Sequence, residues 1–169
     1  MAALIILRGN SGSGKTSLAK ALQRKFGPNT MVISQDVIRR DMLCVRDGPQ
    51  SEALPLLTAL LRYGREHSAV TILEGILDAA CYRPVFASAQ ELFGPRVFAY
   101  YYDLPFEETL RRHATKPNCR DFGEADMRRW WLTRDFIGLI PERLLTAEIS
   151  LADAAEQIYQ EVLPCASTD

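Results

Sequence analysis

The apolar run Leu4-Ile5-Ile6-Leu7-Arg8 leads directly into Gly9-Asn10-Ser11-Gly12-Ser13-Gly14-Lys15-Thr16-Ser17, and no other stretch limits the fold so strongly. A short apolar run closed by a glycine reads as a strand buried on both faces. Beyond the loop, Leu18, Ala19, Leu22 and Phe26 fall on one helical face, and Gly27-Pro28 ends the helix. Between strand and helix, the pattern G-x-x-x-x-G-K-[ST] is met by Gly9, Gly14, Lys15 and Thr16. Glycines let successive backbone N–H groups curl inward around an anion, and the positive end of the following helix adds to their pull. Lys15 is placed to reach the β- and γ-phosphates of a nucleoside triphosphate, and the Thr16 hydroxyl to ligate Mg²⁺. The loop from Gly9 through Ser17 is therefore the candidate nucleotide site. It comprises Gly9, Asn10, Ser11, Gly12, Ser13, Gly14, Lys15, Thr16 and Ser17, and ATP and Mg²⁺ are the expected cofactors.

The remaining chain repeats the alternation of strand and helix. Further strands are expected at Thr30–Ser34, Val70–Leu73 and Arg96–Tyr102, with a fifth within Leu145–Ile149. Helical spacing marks Asp36–Cys44, Leu54–Glu66, Tyr82–Phe93, Phe106–Thr115, Ala125–Ile137 and Leu151–Val162. Such alternation builds right-handed βαβ units into a parallel α/β sheet covered on both faces. The 169 residues, 47% of them apolar, fit one domain over 1–169. Ligands of such folds lie beyond the carboxyl ends of the strands.

Composition weighs against several classes of function. The net charge of -1 lacks the basic field that a protein gripping a long nucleic acid usually carries. Cys44, Cys81, Cys119 and Cys165 are widely spaced, which argues against a zinc site or a disulfide framework. No segment has the ~20 apolar residues of a membrane span. The first residues lack the basic and apolar regions of a signal peptide, so a cytoplasmic protein is expected. The oligomeric state is not readable.

Three places at strand ends carry candidate chemistry. Asp36, after the second strand, is placed to accept or orient the proton of an acceptor hydroxyl. Arg39 lies one helical turn on, on the same face, and its planar fork suits a carboxylate or phosphate. The competing reading is a helix cap followed by solvated arginines. Glu74 closes the third strand, where an acid serves the Mg²⁺ shell or the acceptor. From Arg111 to Arg134, seven basic residues stand against Asp121, Glu124 and Asp126. This stretch, a helix, a loop with Pro117 and Gly123, then another helix, has the plan of a hinged lid over about 111–134. Arg112, Lys116 and Arg120 are its candidate phosphate contacts, with Arg120 assigned to the transferred group. Trp130 and Trp131 read as core residues rather than ligand-stacking partners, and His67 and His113 as packing or surface residues.

With these residues in place, the chain resembles the small P-loop kinases, among them chloramphenicol phosphotransferase, zeta toxins, gluconate kinase and the kinase domain of polynucleotide kinases. The resemblance rests on Gly9–Thr16, on Asp36-x-x-Arg39 and on Leu110-x-Arg112-His113-x-x-Lys116. It implies a three-layer fold with a five-stranded parallel sheet of order 2-3-1-4-5 and a short helical lid. It also implies that Arg112 stacks on adenine while Lys116 meets phosphate. Lysine at 116 and histidine at 113 depart from the group's pattern.

The leading expectation is an ATP- and Mg²⁺-dependent kinase acting on a hydroxyl of a small molecule, whether a nucleoside, a sugar derivative or an antibiotic. Residues 41–82 should shape the acceptor pocket. One alternative is a kinase for the 5′-hydroxyl of a polynucleotide, supported by the Asp36/Arg39 pair. Another is a regulatory NTPase with no acceptor.

Overall fold

The computed structural model describes residues 2–115 and 119–166. Strand β1 (Ala3–Gly9) is buried along its whole length. It lies at the centre of a parallel sheet with β2 (Thr30–Ser34), β3 (Val70–Gly75), β4 (Val97–Tyr102) and β5 (Glu142–Leu145), in the order β2-β3-β1-β4-β5. This is the order that the resemblance implied.

The two-residue period of β1 divides the core. Ala3, Ile5 and Leu7 face α1 (Lys15–Phe26) and α6 (Leu151–Ala166), meeting Leu18, Leu22, Ile158 and Val162. Leu4 and Ile6 face the other way, toward α2 (Ala53–His67) and α3 (Arg83–Phe93), meeting Leu57, Leu61, Val85 and Phe86. Every β1 side chain thus has a helix layer to pack against, which is why the run is apolar without alternation.

Helices α4 (Phe106–Ala114) and α5 (Glu124–Arg129) follow β4. Three local expectations are corrected here. The helix expected over Ala125–Ile137 ends at Arg129, because the chain beyond it is claimed by partners on β1 and the phosphate loop. The fifth strand is Glu142–Leu145, not a segment within Leu145–Ile149. It pairs with β4 from Ala99↔Glu142 to Tyr102↔Leu145, so its polar first residue belongs to the sheet. Finally, the expected helix after β2 is a single wide π-helical turn, Val37–Met42, closed by Leu43 N–H donating to the Ile38 carbonyl. Turns of this kind recur at functional sites because they re-aim the side chains they carry.

Among the described residues no helix is long and apolar enough to cross a membrane.

Candidate active site

The phosphate loop joins β1 to α1 and is held by its own atoms. Lys15, 8% exposed, folds back so that its Nζ donates to the Asn10 carbonyl at 2.8 Å and to Ser13 Oγ at 3.3 Å. Gly14 has φ +107°, a left-handed conformation that a side chain would strain. Gly12 has φ +81°, and a Cβ there would lie 2.5 Å from the Thr109 carbonyl, so the loop packs directly on α4. No side chain caps α1, which leaves the amides of its first turn facing outward for an anion. The Asn10 side chain is engaged elsewhere. Its Nδ2 donates to the Leu132 carbonyl at 2.7 Å and its Oδ1 accepts from Leu132 N–H at 2.8 Å. Only the Asn10 backbone is left to line the loop.

Sheet register brings three oxygens together beside Thr16. Glu74 pairs with Leu7 of β1 and with Ser34 of β2. Its Oε1 accepts from Ser34 Oγ at 2.6 Å and from Thr16 Oγ1 at 3.2 Å, and the residue is 3% exposed. Among the described residues no group of three or more His, Cys, Asp or Glu is arranged to hold a metal. An oxygen-only set of two hydroxyls and one carboxylate fits Mg²⁺, which keeps several waters and takes its remaining ligands from phosphate. It does not fit a softer metal.

Across from the loop, the π-turn places Asp36 and both following arginines together. Asp36 Oδ1 is 3.2 Å from Arg39 Nη2 and 3.3 Å from Arg40 Nε, and its side chain is 58% exposed. Asp36 shares a cavity of about 490 Å³ with Ser11 of the phosphate loop. Arg39, Arg40, Arg46, Asp47, Asp78, Phe122, Arg129 and Trp130 complete most of its walls. Residues 46–48 together with Ile76, Asp78 and Cys81 contribute to it, within the stretch expected to shape the acceptor pocket. The floor is a buried network. Gln35 Nε2 donates to Tyr82 Oη at 2.7 Å, and Tyr82 Oη donates to Asp47 Oδ1 at 2.6 Å. Burial, reinforced by the Asp47 carboxylate, pushes the Tyr82 hydroxyl far above the usual tyrosine range, so it stays a donor.

A second cavity, of about 620 Å³, opens on the other side of the loop between Gly14, Ser17, Tyr102, Arg111, Arg112 and residues 147–151. Arg112 reaches back from α4 so that its Nη1 donates to the Ser13 carbonyl at 2.8 Å, while its guanidinium lies 5.9 Å from the Tyr102 ring centre. Arg111 is largely exposed and pairs with Glu108 at 2.7 Å. Arg111 first, then Arg112, hold the Glu108 carboxyl down at about 2, so it remains the anion that aims Arg112. Arg120 is exposed. Lys116 and Pro117 lie outside the described residues. His113 is buried, with Nε2 2.9 Å from the Phe122 carbonyl and its ring stacked on Phe122. Trp131 packs edge-on against Phe106, whereas Trp130 forms part of the cavity wall and is no core residue.

Arg8 is the residue that sequence reading passed over. Fully buried at the end of β1, it donates to the Leu77 carbonyl, to Glu142 Oε1 at 2.9 Å and to Asp135 Oδ2 at 2.7 Å. Glu142 Oε2 in turn accepts from Ile137 N–H, and Asp135 Oδ2 from Ala79 N–H. One guanidinium therefore ties the segment after α5 to β5 and to the chain just beyond β3. A charge at the end of an otherwise apolar buried strand was the available signal.

A family model described as "AAA domain" matches residues 4–131. No curated protein matches the sequence. The structure is similar to that of a gluconokinase from Sinorhizobium meliloti 1021, with TM-score 0.64 and 16% identity over 97% of this chain and 93% of that one. It is also similar to a tunicamycin resistance protein from Deinococcus radiodurans, with TM-score 0.65 and 19% identity over 95% of each chain. A Mycobacterium tuberculosis APS kinase, solved with AMPPNP and APS, gives TM-score 0.62 and 18% identity over 96% of this chain and 98% of that one. At these identities the likeness shows a shared fold.

Proposed function

From the premise that this chain belongs to the AAA domain family, we propose that it is an ATP- and Mg²⁺-dependent kinase that phosphorylates an alcohol on a small molecule. The observation that carries this reading is the cavity that Asp36 shares with Ser11 of the phosphate loop. An acid facing a phosphate site across a space of molecular size suits transfer to an acceptor better than hydrolysis alone. The presence of AMPPNP and APS in the similar APS kinase supports a nucleotide as donor.

In this mechanism the loop amides and Lys15 hold the β- and γ-phosphates, and Thr16 and Glu74 hold the metal shell. Bound Mg²⁺ would supply positive charge to the β- and γ-phosphate oxygens. Asp36 takes the proton as the acceptor oxygen forms its bond to the γ-phosphorus. The bond from that phosphorus to the bridging oxygen breaks, and ADP leaves with the electron pair. Arg39 orients Asp36 and meets the acceptor. Arg112 braces the loop at Ser13 and shapes the nucleotide side. The lid over about 111–134 excludes water and carries Arg120 toward the phosphates on closure. Four unpaired cysteines are in keeping with a cytoplasmic setting.

One observation favours a second reading, transfer to the 5′-hydroxyl of a polynucleotide: Trp130 and Phe122 stand in the acceptor wall, where a base could stack. Salt-dependent binding of an oligonucleotide separates the two readings. The test of the main reading is a screen of sugars, sugar acids, nucleosides and hydroxylated antibiotics with ATP, read by mass. Gain of one phosphoryl group by an alcohol is expected. ATP hydrolysis that no alcohol accelerates would favour a regulatory NTPase.

A further inference from the structure

We infer that the acceptor is an anion-bearing alcohol, its carboxylate or phosphate held between Arg46 on the π-turn side and Arg129 on the α5 side. This rests on the kinase reading, and it adds the charge class of the acceptor. Four arginines and three aspartates line the Asp36 cavity. The aspartates are already committed. Asp36 is shared by Arg39 and Arg40, Asp47 accepts from Tyr82 and Gly48 N–H, and Asp78 accepts from Cys81 N–H. Arg46 is exposed in the wall, and among the described residues no acid pairs with it. Arg39 Nε is buried without a hydrogen-bond partner and stands 4.0 Å from Asp47 Oδ2.

The loop that carries Arg46 is fastened to the acid-bearing turn. Val45 N–H donates to the Arg39 carbonyl at 3.0 Å, and Arg39 Nη1 donates to the Val45 carbonyl at 3.4 Å. The opposite wall is set by Trp130. The Arg40 and Arg129 guanidinium carbons both lie 5.7 Å from the centre of its ring. Arg129 spends its own ion pair on Asp126, at 2.8 Å, on an exposed face that solvent screens. The cavity therefore offers guanidinium groups from two separate elements, and among the described residues neither Arg46 nor Arg129 pairs with one of its aspartates. Forked donors of this kind select planar carboxylates and phosphates over neutral alcohols. An anion spanning the two elements would also draw α5 toward the acid.

The test compares matched pairs by calorimetry without nucleotide: gluconate against glucose, and glycerol 3-phosphate against glycerol. The paired arms separate a carboxylate from a phosphate. At least one anionic member should bind about tenfold or more tightly than its neutral partner, the effect of one charge-assisted hydrogen bond. Arg46→Gln and Arg129→Gln should each remove that preference, with circular dichroism unchanged, since both side chains sit on the surface. Equal binding within both pairs, binding of neither anion, or a preference untouched by both variants would overturn the inference. Phosphoryl transfer to a neutral alcohol with no anion preference sinks this inference and keeps the kinase reading. Arginine-dependent anion binding with no transfer to any alcohol does the reverse.

Discussion

Thr16 Oγ1 on the phosphate loop donates to Glu74 Oε1 on the neighbouring strand at 3.2 Å. The same Oε1 accepts from Ser34 Oγ, so one buried carboxylate oxygen gathers two hydroxyls from two other elements. This fixes the rotamer of the residue expected to face Mg²⁺ before any ligand arrives. Glu74→Gln keeps the shape and removes the charge. It should weaken Mg²⁺ support of ATP binding by about 10- to 100-fold, the usual effect of disturbing a metal's supporting shell. Mg²⁺ titrations of ATP binding check this, and an unchanged midpoint would remove Glu74 from the metal shell.

Neighbouring arginines on α4 should behave differently. Arg112 touches the loop at the Ser13 carbonyl, whereas Arg111 is 70% exposed and pairs with Glu108. Arg112→Ala should raise the KM for ATP by about tenfold, the loss of one charge-assisted hydrogen bond. Arg111→Ala should change it little. Equal effects would mean that the loop contact carries no weight in nucleotide binding.

Arg8 should matter for stability more than any residue of the loop. Arg8→Met leaves Glu142, 2% exposed, and the Asp135 carboxylate without their buried partner. Removing one member of a buried ion pair costs about 3–5 kcal/mol. Thermal unfolding should show that loss, and adding Asp135→Asn with Glu142→Gln should recover part of it. A single variant as stable as the parent would show that the segment after α5 holds by other means.

The same residue marks where sequence reading ran out. The phosphate loop was legible because few chains can supply glycines at the required turns, a lysine and a hydroxyl in one register. Strands β1 to β4 were legible, with β1, β3 and β4 as apolar runs that only a doubly covered sheet explains. The end of α5 and the position of β5 were not. Residues 130–142 carry no signal that Asn10 will take both backbone atoms of Leu132, or that Arg8 will take Asp135 and Glu142. Those pairings lie more than a hundred residues apart in sequence and override local helical spacing. Asp36 and Arg39 stood out by their place after a strand. Arg46 and Trp130 did not, because only the folded chain brings their elements to one cavity.

Alkaline pH should destabilise the fold in a definite window. Burial holds Tyr82, Tyr100, Tyr101 and Tyr102 above the usual tyrosine value, with Tyr100 and Tyr102 pushed up to about 12. The unfolded chain loses these protons near about pH 10 while the folded chain keeps them. Their contribution is thus complete below about pH 10 and is lost as pH rises toward about 12. Urea midpoints should fall across that interval. Ionisation of all six tyrosines near pH 10 in the folded protein, read by ultraviolet absorbance, would contradict the burial account.

In the proposed reaction Asp36 receives the acceptor's proton across the cavity from the phosphate loop. The measurement that tests it most directly is turnover of Asp36→Asn with the best alcohol, set beside its affinity for ATP. Asparagine keeps the size and removes the base. Turnover should fall by about 10²- to 10⁴-fold, the usual contribution of a general base, while the Kd for ATP stays nearly unchanged. Near-normal turnover in that variant would contradict the assignment.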